Sequence, residues 1–387
     1  MTLALGLAAL TCAIWIYLVL FRGMFWLARE RDDHDMPATP NADAAWPRVA
    51  AIVPARNEAD MLPLSLPTLL AQDYPHPLTV IVVDDQSEDG TSDVAHRVEA
   101  AGHRPVVIAG APRPPGWTGK VWAQSQGVAY AAAMPDPPDY LLLTDADIAY
   151  APDTARSLVA RARASGLVLT SLMAKLNCDS AAERALIPAF IFFFQMLYPF
   201  ASVARRSSPV AGAAGGCMLV ERRALEAAGG LAAIRNALID DCSLAAVLKC
   251  QGPIWLGLTG RAISLRPYPH FADIRHMVSR SAYAQLRYSP LLLAGTVAGM
   301  ALTYLAPPLL AFFATGAPAA MGVVAWLLMA IAFQPTLRFY RASPLWGLAL
   351  PGIAVAYTLF TLDSAYQHWR GRGGMWKGRA QALPERQ

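Results

Sequence analysis

Fifty consecutive residues, Tyr288 to Leu337, carry no charged side chain, and that run limits the fold before any motif is considered. One pass through a bilayer takes about 20 apolar residues, so the run is long enough for two, with a turn expected around Thr315 to Pro318. Arg338 and Arg341 close it, and a further uncharged run extends from Ala342 to Leu362. A third occupies Met1 to Phe21 and ends at Arg22, with Arg29 and Arg31 beyond. A cleaved signal peptide carries its positive charge before the apolar core, whereas here the charge follows, so this segment reads as an anchor whose carboxyl end faces the cytoplasm. One amino-terminal and three carboxy-terminal crossings place the basic tail (Arg370, Arg372, Lys377, Arg379, Arg386) on the opposite side. The positive-inside rule opposes that, so either one later segment is re-entrant or the rule fails here.

Composition agrees with a membrane protein, since 55% of the residues are hydrophobic and only 16% charged, and the several apolar runs make it multi-pass, with the cell's inner membrane the expected location. The net charge of +4 comes without a Lys/Arg run interleaved with aromatics, which argues against nucleic acid as a partner. The five cysteines show no CxxC or metal-finger spacing and read as reduced thiols. His270 and His276 have no partner at metal-ligand spacing and read as surface or packing residues.

Between the apolar ends the pattern changes to alternating strands and helices. Val49 to Val53, Leu78 to Val83, Val106 to Ile108, the Leu141 run and Leu167 to Leu172 are short apolar runs, with helical patterns after most of them. That order predicts an α/β domain with a mostly parallel sheet, helices on both faces, over residues 48–275. Ile254 to Leu258 and Ala262 to Leu265 read as closing strands. The expected layout is then an anchor (1–28), a linker (29–47), the α/β domain, an interfacial amphipathic helix (276–288, overlapping a helical stretch from Phe271 to Arg287), about three spans (289–366) and a basic tail (367–387). The uncharged, Phe-rich stretch Leu186 to Ala204 contains Pro188 and Pro199. It reads as an interfacial helix or membrane-facing wall, with a buried core helix as the alternative.

The strands end on acids. Leu141, Leu142, Leu143 and Thr144 lead into Asp145 and Asp147, which would point to one side if the strand continued. Ligands of open α/β sheets collect at such strand ends, and two hard carboxylates there suit Mg²⁺ or Mn²⁺ held jointly with a substrate diphosphate. Paired acids also close strands and cap helices, so the triplet alone is open to both readings. Asp84 and Asp85 end the Leu78 strand, Glu58 follows the first strand, and Asp240 and Asp241 open a helix, where Asp240 could be an N-cap. Gly212 to Val220 is glycine-rich and precedes a helix from Arg222. There, glycines either let backbone approach a ligand or make a tight turn.

Taken in order, Pro54-Ala55-Arg56-Asn57-Glu58, Asp84-Asp85-Gln86-Ser87-Glu88-Asp89-Gly90-Thr91, Trp117-Thr118-Gly119-Lys120, Asp145-x-Asp147 and Ile239-Asp240-Asp241-Cys242 resemble family 2 glycosyltransferases of the GT-A, Rossmann-like fold. The likeness is nearest to bacterial hopene-associated glycosyltransferases, which are similar to ceramide glucosyltransferases, and there it extends through the carboxy-terminal spans. The resemblance implies a metal-dependent enzyme with its catalytic domain facing the cytoplasm, moving a sugar from a UDP-sugar to a membrane lipid of hopanoid type. It implies that Pro54 to Glu58, Asp84 and Asp85 hold the nucleoside, that Lys120 and Asp145 meet the donor, and that Asp145 and Asp147 bind the metal. Asp241 would be the catalytic base with Asp240 supporting it. Gly215, Gly216, Cys217 and Arg287 would lie on the acceptor side. The Gln/Arg-x-x-Arg-Trp motif of relatives that make ceramide glycosides or long polysaccharides is only partly present at Ala284 to Tyr288, which argues against processive synthesis and leaves the acceptor contacts open. A polyprenyl-phosphate or polysaccharide transferase, and a non-catalytic transport or scaffold protein, are the competing readings. The absence of charge inside the spans opposes transport.

Overall fold

The computed structural model describes residues 2–34, 45–376 and 379–380. Residues 35–44 of the expected linker, and Lys377 and Arg386 of the expected tail, lie outside the described residues. The chain divides into two units, Glu30–Asn177 with Ser202–Pro267 and the chain from Met375, and Met1–Arg29 with Cys178–Ala201 and Tyr268–Gly374.

The first unit is built on an eight-stranded sheet in the order β3-β2-β1-β4-β7-β6-β8-β5. Its strands are β1 (Val49–Ala55), β2 (Thr79–Asp84), β3 (Val106–Ala109), β4 (Tyr140–Thr144), β5 (Ile148–Tyr150), β6 (Leu169–Lys175), β7 (Cys217–Glu221) and β8 (Ile254–Ser264). Every residue of β1 is buried, as expected for a central strand covered on both faces. Strands β3, β2, β1 and β4 run parallel, in a register that pairs Ala55 with Asp84 and Ile52 with Leu143. The carboxyl ends of β1, β2 and β4 therefore finish at one edge, and the acids that follow them emerge together.

Two features depart from the expected pattern. Cys217 to Glu221, expected only as the end of a glycine-rich segment before a helix, is a strand antiparallel to both β4 and β6. The closing pair expected at 254–258 and 262–265 is one strand, antiparallel to the short edge strand β5 and parallel to β6. Helix Gly119–Ala132 packs on β1 and β2 through Gly127, where an added Cβ would stand 2.5 Å from Ile52 Cγ2 and 3.0 Å from Val83 Cγ2. No side chain fits there without displacing the sheet.

The second unit is helical. Among the described residues five helices are long and apolar enough to cross a membrane: Leu3–Leu20, Ala181–Ala204 (a helix to Leu197 and a short continuation), Pro290–Phe313, Ala317–Phe339 and Trp346–Trp369. The segment at 181–204 joins β6 to β7, which are hydrogen-bonded neighbours. A single crossing there would leave one sheet on both sides of the bilayer, so this helix does not cross. Ser180 and Glu183 cap its start reciprocally, which explains why it begins five residues before the uncharged run. Phe192 packs at a tilt against Phe25 and Phe333, and Trp15 donates from Nε1 to Thr303 O (2.7 Å) within the wide turn Ala301–Leu305. The expected helix from Phe271 to Arg287 is two short ones, Phe271–Ser279 and Ala282–Gln285. The break leads on to Arg287 and Tyr288, both in the left-handed region (φ 51° and 55°).

Candidate active site

Strand β4 stops at Thr144, and the turn through Ala146 and Asp147 leads directly into β5. Ala146 and Ile148 are buried while Asp145 and Asp147 are partly exposed, so alternation persists through the turn. Each acid meets its own cation. Asp145 Oδ1 pairs with Lys120 Nζ at 2.8 Å, and Asp147 Oδ2 accepts from Arg266 Nε at 2.9 Å. Arg266 follows the end of β8 and its Nη2 donates to Glu58 Oε2 (2.7 Å), tying the end of β1 to the turn after β4. Burial pulls the Arg266 guanidinium towards neutrality, but the charges of Glu58 and Asp147 outweigh it and hold the proton more firmly than usual.

Lys120 joins the donor-side acids to those at the helix start. Its ammonium lies 3.1 Å from Asp240 Oδ2 as well as 2.8 Å from Asp145. The Asp240 contact is a charge pair without hydrogen-bond geometry, which leaves that buried oxygen unsatisfied. Burial alone would lower the lysine pKa; Asp145 and Asp240 reverse the effect and keep it charged. Helix Asp240–Lys249 begins after Ile239, so Asp240 and Asp241 are its first two residues and Asp240 is not the N-cap. Carboxylates there meet the positive end of the helix dipole. Asp241 is held by two backbone donors, with Gly215 N–H to Oδ2 at 2.9 Å and Cys242 N–H to Oδ1 at 2.7 Å. Burial, and then the charge of Asp240, raise its pKa to about 6, tempered by Lys120.

Gly215 is where backbone replaces side chain. A Cβ there would lie 3.0 Å from Lys120 Nζ and 3.5 Å from Asp241 Oδ2. Gly216 O accepts from Thr144 Oγ1 (3.0 Å) and Tyr150 OH (2.9 Å), which fixes the turn from the sheet side. Gly215→Ala is expected to leave the melting temperature within a few degrees, because the lysine tip can yield, while lowering turnover about tenfold through misplacement of Lys120 and Asp241; a thermal melt beside an activity assay reads both.

The remaining sequence-derived residues have distinct placements. Pro54 and Ala55 end β1 and are buried, so their side chains pack the sheet. Arg56 Nη1 donates to Asp85 O (2.6 Å) and Gln86 O (2.9 Å), bracing the loop after β2. Asn57, at φ 51°, exchanges bonds with that loop through Ser87 Oγ and Glu88 N–H. Asp84 Oδ1 caps Ser87 N–H (3.1 Å), and Asp85 is fully buried. Burial pushes the Cys217 thiol up to about 12, which suits packing and not nucleophilic chemistry. Arg287 belongs to the helical unit. Arg266 was not singled out from sequence; its one signal is that it follows a strand end, as the acids do.

Among the described residues no three His, Cys, Asp or Glu side chains already form a metal cluster. The donor set nevertheless fits a hard divalent cation. Asp145 and Asp147 offer two hard carboxylates one residue apart, Asp145 is 37% exposed, and such ions take their other ligands from water and phosphate; Lys120 and Arg266, which pair with these acids, would have to give way to the ion.

Residues 50–229 match the model of the family described as Glycosyl transferase family 2. The structure is similar to that of a mannosyltransferase from Pyrobaculum calidifontis in complex with GDP-Man and Mn²⁺, with 19% identity, a TM-score of 0.55, and coverage of 95% of this chain and 99% of that one. The fold is GT-A. Weaker likenesses are to mannosyl-3-phosphoglycerate synthase from Rubrobacter xylanophilus (18% identity, TM-score 0.37, 62% of this chain and 72% of that one) and glucosyl-3-phosphoglycerate synthase from Mycobacterium tuberculosis (17%, 0.37, 60% and 78%). No curated protein sequence matches significantly. In this GT-A domain the family match ends before Asp240, so the helix-start acids are linked to it by geometry and not by that alignment.

Proposed function

We propose that this protein is an inverting glycosyltransferase that moves a sugar from a nucleotide-diphosphate donor to a lipid held in a bilayer. One observation carries the reading: Lys120 Nζ bridges a strand-end acid, Asp145, and a helix-start acid, Asp240, with Asp241 fixed beside them by Gly215. A cation at the donor side with a fixed carboxylate beside it supplies what a displacement at an anomeric carbon uses, positive charge for the leaving group and a positioned base for the acceptor.

In this reading Asp241 takes the proton of the acceptor hydroxyl. Its two backbone bonds fix the carboxylate and leave lone pairs on both oxygens for the incoming proton. Attack from that side in one step inverts the anomeric configuration. Lys120 turns from the acids to the departing diphosphate, and Arg266 releases Asp147 in the same way. Asp145 and Asp147 would hold Mg²⁺ or Mn²⁺, which neutralises leaving-group charge when bound. The loops of Arg56 to Glu58 and Asp84 to Gln86 form the nucleoside side. UDP is the nucleotide that the sequence resemblance implies, and the similar Pyrobaculum structure holds GDP-Man, so both deserve trial. The apolar helices favour a lipid acceptor at an inner membrane, with hopanoids the class the resemblance implies.

The base must be ionised to act. With its pKa raised to about 6, kcat/KM is expected to fall tenfold per pH unit below about 6 and to level off above it, since kcat/KM reports the free enzyme. A profile flat between pH 5 and 8 would remove Asp241 from the role. The reading as a whole is tested by calorimetry with UDP or GDP, with Mn²⁺ and then with a chelator. Metal-dependent heat with one nucleotide supports it, and no heat with either favours a non-catalytic domain.

A further inference from the structure

A cavity of about 640 Å³ lies within the helical unit, lined by Asp179 and Arg184 at the start of helix Ala181–Leu197 and by Tyr340, Arg341 and Trp346 where helix Ala317–Phe339 gives way to helix Trp346–Trp369. Its charge is unbalanced. Among the described residues neither Arg184 nor Arg341 has an ion pair or a side-chain hydrogen bond, so a guanidinium from helix Ala181–Leu197 and one from the turn after helix Ala317–Phe339 line one cavity without a bonded counter-charge. Asp179 contributes a single negative charge, which leaves the lining at +1.

The cavity also sits at a particular level. The charge-free run ends at Leu337, and the loop from Tyr340 to Leu345 joins two helices long and apolar enough to cross a membrane. Leu345, next in sequence to the lining residue Trp346, is 71% exposed. Trp346 and Tyr340 are the aromatic types that settle at the headgroup level of a bilayer. At that level the abundant anion is lipid phosphate.

We propose that this cavity binds the phosphodiester headgroup of an anionic glycerophospholipid, with Arg184 and Arg341 on the phosphate and the exposed Leu345 side turned to the acyl chains. Paired guanidiniums match phosphate oxygens, and the net charge of +1 suits a phosphodiester monoanion better than a dianionic monoester, which Asp179 would repel. The site is independent of the sugar-transfer reading, because none of its residues belongs to the acid and lysine cluster. It would tie the ends of three apolar helices to the lipid around them.

The test is native mass spectrometry of the full-length protein released from detergent after incubation with phosphatidylglycerol, phosphatidylcholine or inorganic phosphate. Retention of one phosphatidylglycerol is expected, about tenfold above phosphatidylcholine, unaffected by millimolar inorganic phosphate and lost in the double variant Arg184→Gln, Arg341→Gln. Arg370→Gln, an exposed arginine outside the cavity, should retain the lipid and serves as the folded control. Equal retention in the double variant and the parent overturns the site. Full competition by inorganic phosphate overturns the lipid and leaves a soluble phosphate ligand. A melting temperature for the double variant within a few degrees of the parent keeps the comparison valid; if that variant unfolds, Trp346→Ala is read instead, with loss of lipid expected and unchanged retention counting against the site.

Discussion

Asp241→Asn is expected to lower turnover about 10³-fold while nucleotide affinity stays within a factor of two or three, as loss of a positioned base does. The substitution keeps the side chain's shape and removes its ability to take a proton. It also has a local cost. The carboxylate accepts from both Gly215 N–H and Cys242 N–H, and an amide can present an oxygen to only one of them. A melting curve therefore accompanies the kinetics, and a small drop in melting temperature is compatible with the assignment. Turnover near that of the parent would mean that proton removal is done elsewhere, with Asp240 the first alternative because it shares the same lysine.

Lys120→Met is expected to have the largest effect on donor binding. The Lys120 side chain is only 14% exposed, and its ammonium stands between Asp145 and Asp240. Its removal leaves two carboxylates facing each other without a counter-ion, a change that costs about 3 kcal/mol where such a group is well buried, and somewhat less here because Asp145 is partly open to water. Nucleotide affinity should fall about 100-fold, since the same group would meet the diphosphate. Titration calorimetry and a thermal melt separate the two effects. Unchanged nucleotide affinity would restrict Lys120 to neutralising the acids. Arg266 offers the contrast, because its partners Glu58 and Asp147 belong to the other side of the strand-end pair.

The parallel half of the sheet was legible because β1, β2 and β4 are short apolar runs that each end on acids, and a parallel register brings those ends together. The helix-start acids were legible as a pair, but their distance from the strand ends was not, since it depends on how Lys120 reaches across from helix Gly119–Ala132. Arg266 illustrates the limit. Its partners lie 119 and 208 positions away in sequence, and no local pattern distinguishes it from the other basic residues of the chain. Strand β7 was hidden for a different reason. Cys217 to Glu221 is short, and the glycines before it made the segment read as a turn leading into a helix, whereas those glycines supply the Asp241 and Thr144 contacts that seat the strand. The run at 186–204 gave composition without direction; only the pairing of β6 with β7 excludes a single crossing there. Likewise the basic, apolar stretch 271–287 has helical composition throughout, but the break after Ser279 and the left-handed Arg287 and Tyr288 come from packing that composition does not encode.

The most direct test of the central claim is to incubate the purified full-length protein with a labelled nucleotide-sugar, Mn²⁺ and lipids extracted from a bacterial inner membrane, and to determine the anomeric configuration of any glycolipid formed. The account predicts a labelled lipid whose sugar linkage is inverted relative to the donor, absent with chelator and absent with Asp241→Asn. A product of retained configuration, or transfer that survives the loss of Asp241, would contradict it.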